Sequence, residues 1–322
     1  MDGTFKKILK YVFSAVLAAA LLWFSFRDVD WQEFKVGLKT FRWDFIALSM
    51  SAGATAFLLR GLRWRMLLLP FDSSVRRLTA FNGVNIGNIS NLVLPRIGEL
   101  VRCGVVTRRT AIPYDKVLGT VVLERGWELI VMLLLFVVVV FAGFDRFGEF
   151  FRQEIWTPLS LKWWIVPALL ALGALALYFL WAMKMKSRLC GKVWGVIAGV
   201  FQGFTSCFRM EKKWMFFMYT LLIWVVYWFM SMCIVWAATS ADFAGLDLID
   251  ALFLSIVGGL GFAVPVPGGI GAYHFIIQLA LFKIYGIPLD MGLVFATVSH
   301  TSQALTQILF GLGSYAYESI RK

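Results

Sequence analysis

The chain has 322 residues, 60% of them hydrophobic and only 16% charged, with a mean hydropathy of +0.77. A soluble domain of this length carries more charge to solvate its surface, so a water-soluble globular fold is excluded. The formal net charge is +12, but its distribution speaks for membrane topology and against a nucleic-acid partner.

The first apolar stretch, 8–26, follows Lys6, Lys7 and Lys10 as in a secretory signal. No small-residue cleavage site follows it, so it reads as a retained span. In segment 27–43 the apolar residues Trp31, Phe34, Leu38 and Phe41 recur at three- and four-residue steps. That spacing predicts a helix lying on the outer membrane face. Further spans are expected at 44–60, 117–143, 163–183, 214–238 and 290–316, each near the ~20 residues needed to cross. Segment 189–208 reads either as a surface helix on the cytoplasmic side or as a plain loop. Tryptophans such as Trp23, Trp43, Trp163, Trp164 and Trp214 fall near span ends, where an amphipathic ring is favoured.

Two apolar regions are broken by proline and glycine. Region 78–107 places Asn82, Asn85, Asn88 and Asn91 at three-residue steps before Pro95 and Gly98. At about 100° per residue the first and last amides point to opposite sides of a helix, so lipid cannot surround the segment. Region 250–286 places two arms around the break at Pro265–Gly269. Each region predicts a re-entrant helical hairpin, the first entering from the cytoplasmic side and the second from the outer side. The breaks share an Ile-Gly step, Ile97-Gly98 and Ile270-Gly271. Oppositely oriented broken helices are how inverted-repeat transporters build a site near the midplane.

On this layout one side holds well over twice the basic residues of the other. It carries Lys6, Lys7, Lys10, Arg60, Arg63, Arg65 and the arginines at 102, 108 and 109 among others. That side is cytoplasmic and holds both termini. The expected fold is therefore an all-α polytopic membrane protein, six full transmembrane helices plus two re-entrant hairpins, forming a single integral membrane domain over 1–322.

The residues that could carry chemistry are charges inside spans, since each costs a few kcal/mol there unless paired or hydrated. Glu124, Arg125 and Glu128 sit roughly 10–17 Å inside a span beginning at Val117. Arg125 can pair with Glu128 along its own helix, and Glu124 seeks another partner. The trio reads either as an internal clamp or as a substrate-facing site. After the first break, Arg96, Glu99 and Arg102 recur at three-residue steps. An arginine fork suits a phosphate, and the alternative is that Arg96 and Glu99 neutralise Glu124 and Arg125 in one buried, lipid-shielded network. Asn85 and Asn88 in the first hairpin and Gly268 and Gly269 in the second are further candidates for contact with a lipid head group. Known nucleotide, serine-hydrolase and zinc-protease motifs are lacking, and two histidines cannot make a multi-histidine metal site. The four cysteines show no paired metal spacing. No cofactor or metal is expected.

The runs GLRWRMLL, NLVLPRIGELVR, LERGWELIV and PVPGGIGAYH, in this order, resemble the lysylphosphatidylglycerol synthase transmembrane (flippase-like) family over nearly the whole chain. The resemblance implies a bacterial or archaeal inner-membrane protein with two inverted re-entrant regions. It also implies the membrane module alone, without the aminoacyl-transfer domain that some members carry. Pro95, Arg96, Gly98, Glu99, Arg102, Glu124 and Arg125 match the family pattern. Where the family usually places a glutamate and an arginine, this chain holds His274 and His300. These two are expected to approach each other, with Gln303 nearby. The resemblance and the midplane polar residues together predict a lipid flippase or lipid-linked transporter. It would move a phospholipid or polyprenyl-type lipid between leaflets without ATP. The alternative is a membrane-embedded enzyme that modifies a phospholipid head group, with Glu99 and Glu124 as acid and base. A scaffold or regulator partnering an envelope-biosynthesis enzyme is the third reading.

Overall fold

The computed structural model describes residues 3–27, 29–144, 146–147, 164–183 and 211–321, with isolated positions between 152 and 194. The described residues form eleven α-helices and two 3-10 turns, with no β-strand among them. The chain divides into two compact units, residues 1–121 with 214–322, and residues 122–213.

In the first unit, α1 (Gly3–Phe26) and α2 (Trp31–Lys39) come first. Asp30 caps α2 by accepting from the Gln32 and Glu33 amides. Protein covers part of the apolar side of α2, while Trp31 at its start is exposed. Phe34 and Phe41 are buried, and a Cβ at Gly37 would touch Val294 at 3.0 Å. Phe41, Phe243 and Phe295 form a ring cluster with centroids 5.4 to 6.5 Å apart. That cluster fixes the turn between α2 and α3.

Helix α3 spans Trp43–Leu68, eight residues beyond the expected end at 60. Its last two turns carry Arg60 and Arg63, read from sequence as part of the basic cytoplasmic charge. Both are buried, Arg63 completely. The helix continues because nothing in GLRWRMLL breaks it, and the first broken region packs over its arginine-bearing face.

That region folds as α4 (Arg77–Val93) and α5 (Gly98–Arg109), separated at Leu94–Ile97. The two helices run antiparallel in close register: a Cβ at Gly87 would lie 2.9 Å from the Gly98 carbonyl oxygen, and one at Gly83 would lie 3.6 Å from that of Arg102. The second broken region folds as α9 (Leu248–Ala263), a 3-10 turn at Pro267–Gly269, and α10 (Ala272–Tyr285). Asp247 and Asp250 form a reciprocal capping box at the start of α9. Gly286, at φ 67°, ends α10 in a left-handed cap. Each broken region thus forms two helices, one on either side of its break.

Helix α6 (Tyr114–Ala142) starts in the first unit and continues into the second. Among the described residues the second unit also contains α7 (Ile165–Met183), an almost wholly apolar helix. Segment 189–208 falls almost entirely outside the described residues. Helix α8 (Lys213–Ala237) returns to the first unit, where Ser49 of α3 donates to the Met230 carbonyl oxygen. Among the described residues three helices, α3, α6 and α8, are long and apolar enough to cross a membrane.

The last helix, α11 (Leu289–Ile320), has 32 residues and touches both hairpins. A Cβ at Gly292 would meet the Gln278 backbone of α10 at 3.3 Å, and one at Gly311 would lie 3.2 Å from the Asn85 carbonyl oxygen of α4. Glycine at these two points lets the backbones approach, as small residues do in membrane helix pairs.

Candidate functional site

The polar residues of the first unit fall into three groups along α11: one on hairpin α4–α5, one where the hairpin tips meet, and one on hairpin α9–α10.

On the first hairpin, the asparagine ladder spreads around α4 as the three-residue steps require, and each amide finds a different partner. Asn82 donates to Glu318 (2.7 Å), Asn85 donates to Ser314 (3.0 Å), Asn88 accepts from Arg60 (3.3 Å), and Asn91 accepts from the Gly98 amide (2.7 Å). The last bond caps α5 from the preceding helix, since Ile97 offers no side-chain cap. Glu318 also pairs with Arg109 at 2.9 Å, closing the end of the hairpin against α11.

Arg60, Arg63 and Trp64 lie on one face of α3 at three- and four-residue spacing. The Arg102 guanidinium stacks on the Trp64 ring at 4.7 Å, and the indole nitrogen donates to Thr120 (3.0 Å). The Arg102 side chain runs alongside Gly87, next to Asn88. Arg60 and Arg102 thus both reach α4, and the exposures of Arg60, Arg63 and Arg102 are 9%, 0% and 2%. Sequence reasoning found Arg102 but missed Arg60 and Arg63. Their helical spacing with Trp64 was the available signal.

At the tips, Arg96 stands exposed with φ 59°, the one non-glycine residue with positive φ among those described. Its guanidinium donates to the Ala263 carbonyl oxygen at the end of α9 (2.5 Å). A Cβ at Gly268 would lie 2.7 Å from Leu92 of α4. The two breaks, 167 residues apart at the Arg96–Ala263 bond, therefore touch each other. Arg96 and Arg102 are turned to different neighbours, Ala263 and Trp64.

On the second hairpin, the His274 and His300 ring centroids are 4.9 Å apart, which bears out the expected approach. His300 Nε2 lies 2.9 Å from the Gly268 carbonyl oxygen. A carbonyl only accepts, so Nε2 carries the proton. Phe262 stacks on His300 at 5.7 Å, and Phe26 approaches His274 at 6.3 Å. Tyr273 and Ser299 share a 2.7 Å hydrogen bond, and Gln303 donates to Ser299 at 3.3 Å. Gly269, at φ 74°, shapes the turn against Phe262.

In the second unit, Arg125 pairs with Glu128 at 2.7 Å, as the three-residue spacing predicts. Glu124, about 15 Å along α6 from Tyr114 at 1.5 Å per residue, is fully buried. The Arg125 side chain is 42% exposed and that of Glu128 17%. No group of three or more potential metal ligands occurs among the described residues.

No curated protein and no solved structure matches this chain. A family model does: residues 8–311 match the lysylphosphatidylglycerol synthase TM region. That match takes in both broken hairpins, α6 and most of α11. The chain therefore belongs to the family of the lysylphosphatidylglycerol synthase transmembrane region, as a membrane-embedded, multi-pass protein with a lipid-related role.

Proposed function

We propose that this protein is a lipid flippase or lipid-linked transporter, carrying a phospholipid or polyprenyl-type lipid between leaflets without a nucleotide motor. It would do so in the cytoplasmic membrane of a bacterium or archaeon, with both termini on the cytoplasmic side. One observation carries the reading: two broken helical hairpins meet at their tips, through Leu92 with Gly268 and Arg96 with Ala263, beside buried polar groups. Such an arrangement supports six full spans with two re-entrant hairpins that enter from opposite faces. Polar groups at that depth give a head group a path through hydrocarbon that it could not cross alone. The tip contact closes that path, and its parting would open it.

The purified full-length protein in liposomes with a fluorescent phospholipid tests the reading. The expected result is leaflet exchange above that of empty liposomes, with no nucleotide and no change in lipid mass. A change in lipid mass without exchange would replace transport by head-group modification. Neither change, across phospholipid and polyprenyl-phosphate substrates, would overturn the reading.

A further inference from the structure

We propose that His274 and His300 form a single proton-binding site that sets how firmly the tip of the second hairpin is held. The inference deepens the transport reading by naming what regulates the tip contact, and rests on it only where leaflet exchange is the readout. The chain holds two histidines, and the fold brings them together from α10 and α11 with ring centroids 4.9 Å apart. Each is 6% exposed. His300 Nε2 donates to the Gly268 carbonyl oxygen at 2.9 Å, so a neutral His300 has a bare Nδ1. His274 Nδ1 is buried with no hydrogen-bond partner among the described residues. Buried polar atoms are almost always satisfied, so an orphaned ring nitrogen beside a second imidazole specifies a small complement. An imidazole takes up a proton near neutral pH. One proton from water, placed on a bare ring nitrogen, turns the neutral pair into a monocation and that nitrogen into a donor. No bond between heavy atoms changes, and loss of the proton restores the neutral pair. Two charged rings this close repel each other, so the site takes one proton and not two.

The surroundings suit a cation. Phe262 stacks on His300, and the Tyr273 ring lies 5.4 Å from it, both near enough for a cation–π contact. Tyr273 is also the titratable group beside the pair, and its hydroxyl is held by Ser299. The charges on the packed elements are engaged or turned elsewhere. Arg27 of α1 lies over the Trp23 and Phe24 rings, and Glu33 and Lys35 are on the exposed side of α2. Asp250 of α9 accepts from Tyr285, and Asp290 of α11 accepts from the Asp30 amide. Lys283 lies toward the far end of α10. Arg96 reaches the same turn from the first hairpin, at the Ala263 carbonyl. A proton on the pair is therefore not neutralised by a carboxylate, and its pull falls on the Gly268 carbonyl. A charge-assisted hydrogen bond is roughly twice as strong as a neutral one. Gly268 is also the residue that packs on Leu92. The loaded site thus holds the turn to α11 and keeps the tips together, and the empty site loosens both.

With only these two histidines, isotope labelling of histidine reports on the site in the unmutated chain. Full-length protein with nitrogen-labelled histidine, purified on a tag free of histidine, is titrated in detergent from about pH 8 to about pH 5.5, and ring protonation is read by NMR. Uptake of one proton per chain, shared by two coupled resonances, is expected. Rings that stay neutral throughout, or that take up two protons, would overturn the site. The Gly269 and Ile270 amides, bonded within the turn, report on how firmly it is held. Their hydrogen exchange, corrected for the intrinsic rate, should be about fivefold or more slower at the lower pH. His300→Gln keeps a neutral donor for Gly268 and should erase that difference; a difference that survives would overturn the link to the turn. In liposomes, leaflet exchange should be slower at the lower pH. Equal rates at both, in a protein whose pair takes the proton, would overturn control of the tips. No exchange at either pH would remove transport alone and leave the proton site standing on the first two readouts.

Discussion

At Gly98 there is no room for a side chain, because a Cβ would overlap the Gly87 carbonyl oxygen and the Asn91 amide group. Gly98→Ala should therefore separate α4 from α5, with a loss of stability of about 3 kcal/mol, the upper range for overpacking. Gly104, six residues on, has nothing within 4 Å of its Cβ position. Gly104→Ala should be neutral or stabilise by about 0.5–1 kcal/mol, as alanine does in a helix interior. Thermal unfolding in detergent compares the two, and equal behaviour would contradict the close register of the hairpin. His300 offers a second case. His300→Gln keeps a donor for the Gly268 carbonyl, while His300→Leu strands that carbonyl in a buried place. The leucine variant should be the less stable by about 1–3 kcal/mol, the cost of an unsatisfied buried acceptor. If both unfold at the same temperature, the bond is not a support of the tip.

At the scale of elements, the contact between hairpin tips rests on Gly268, whose φ of 57° and contact with Leu92 each exclude a larger residue. Gly268→Ala should be destabilising, and Leu92→Ala in the same chain should restore part of the loss. The steric share is recoverable and the backbone strain is not. A double variant no better than the single one would place Leu92 elsewhere. On α6, Arg125→Leu alone should lower the yield of folded protein more than Arg125→Leu with Glu128→Leu. The single change leaves a carboxylate in an apolar helix without its 2.7 Å partner, at a cost on the order of 2 kcal/mol. The hairpins themselves were legible because Pro95, Pro265 and Pro267 interrupt apolar runs that continue on both sides, and because the asparagines admit no lipid-facing side. The burial of Arg60 and Arg63 was not. A charge at the end of an apolar run looks the same whether the chain leaves the membrane or the helix runs on beneath another segment. Deciding that needs the partner, and the partner here is a hairpin some twenty-five residues further along the chain.

At the scale of the molecule, the all-helical class was legible in the sequence, since it depends on local composition. The meeting of the two tips depends on how distant segments pack, and no local pattern encodes it. The histidine pair became legible only through the family resemblance, which implies complementary charges at those two positions. The layout makes a further demand. If both hairpins are re-entrant, a cysteine placed at Val93, which is 70% exposed beside the first tip, should resist labelling from the outer side in intact membranes. Free labelling from outside under every condition would turn that tip into an ordinary external loop and remove one of the two hairpins.

Helix α11 acts as a ruler. It is held by the second hairpin through His300 and by the first through Ser314 and Glu318. The fourteen residues from His300 to Ser314 make nearly four turns, so both anchors project toward similar directions about 21 Å apart. One residue inserted between them would turn one anchor by about 100° relative to the other and shift it by about 1.5 Å. Substitutions on the lipid-facing side of this stretch leave the phase alone. Insertions and deletions cannot, so the count of residues here should be far less free to drift than their identity. An alanine inserted after Thr306 should abolish production of monodisperse protein, whereas one added after Ile320, beyond both anchors, should be tolerated.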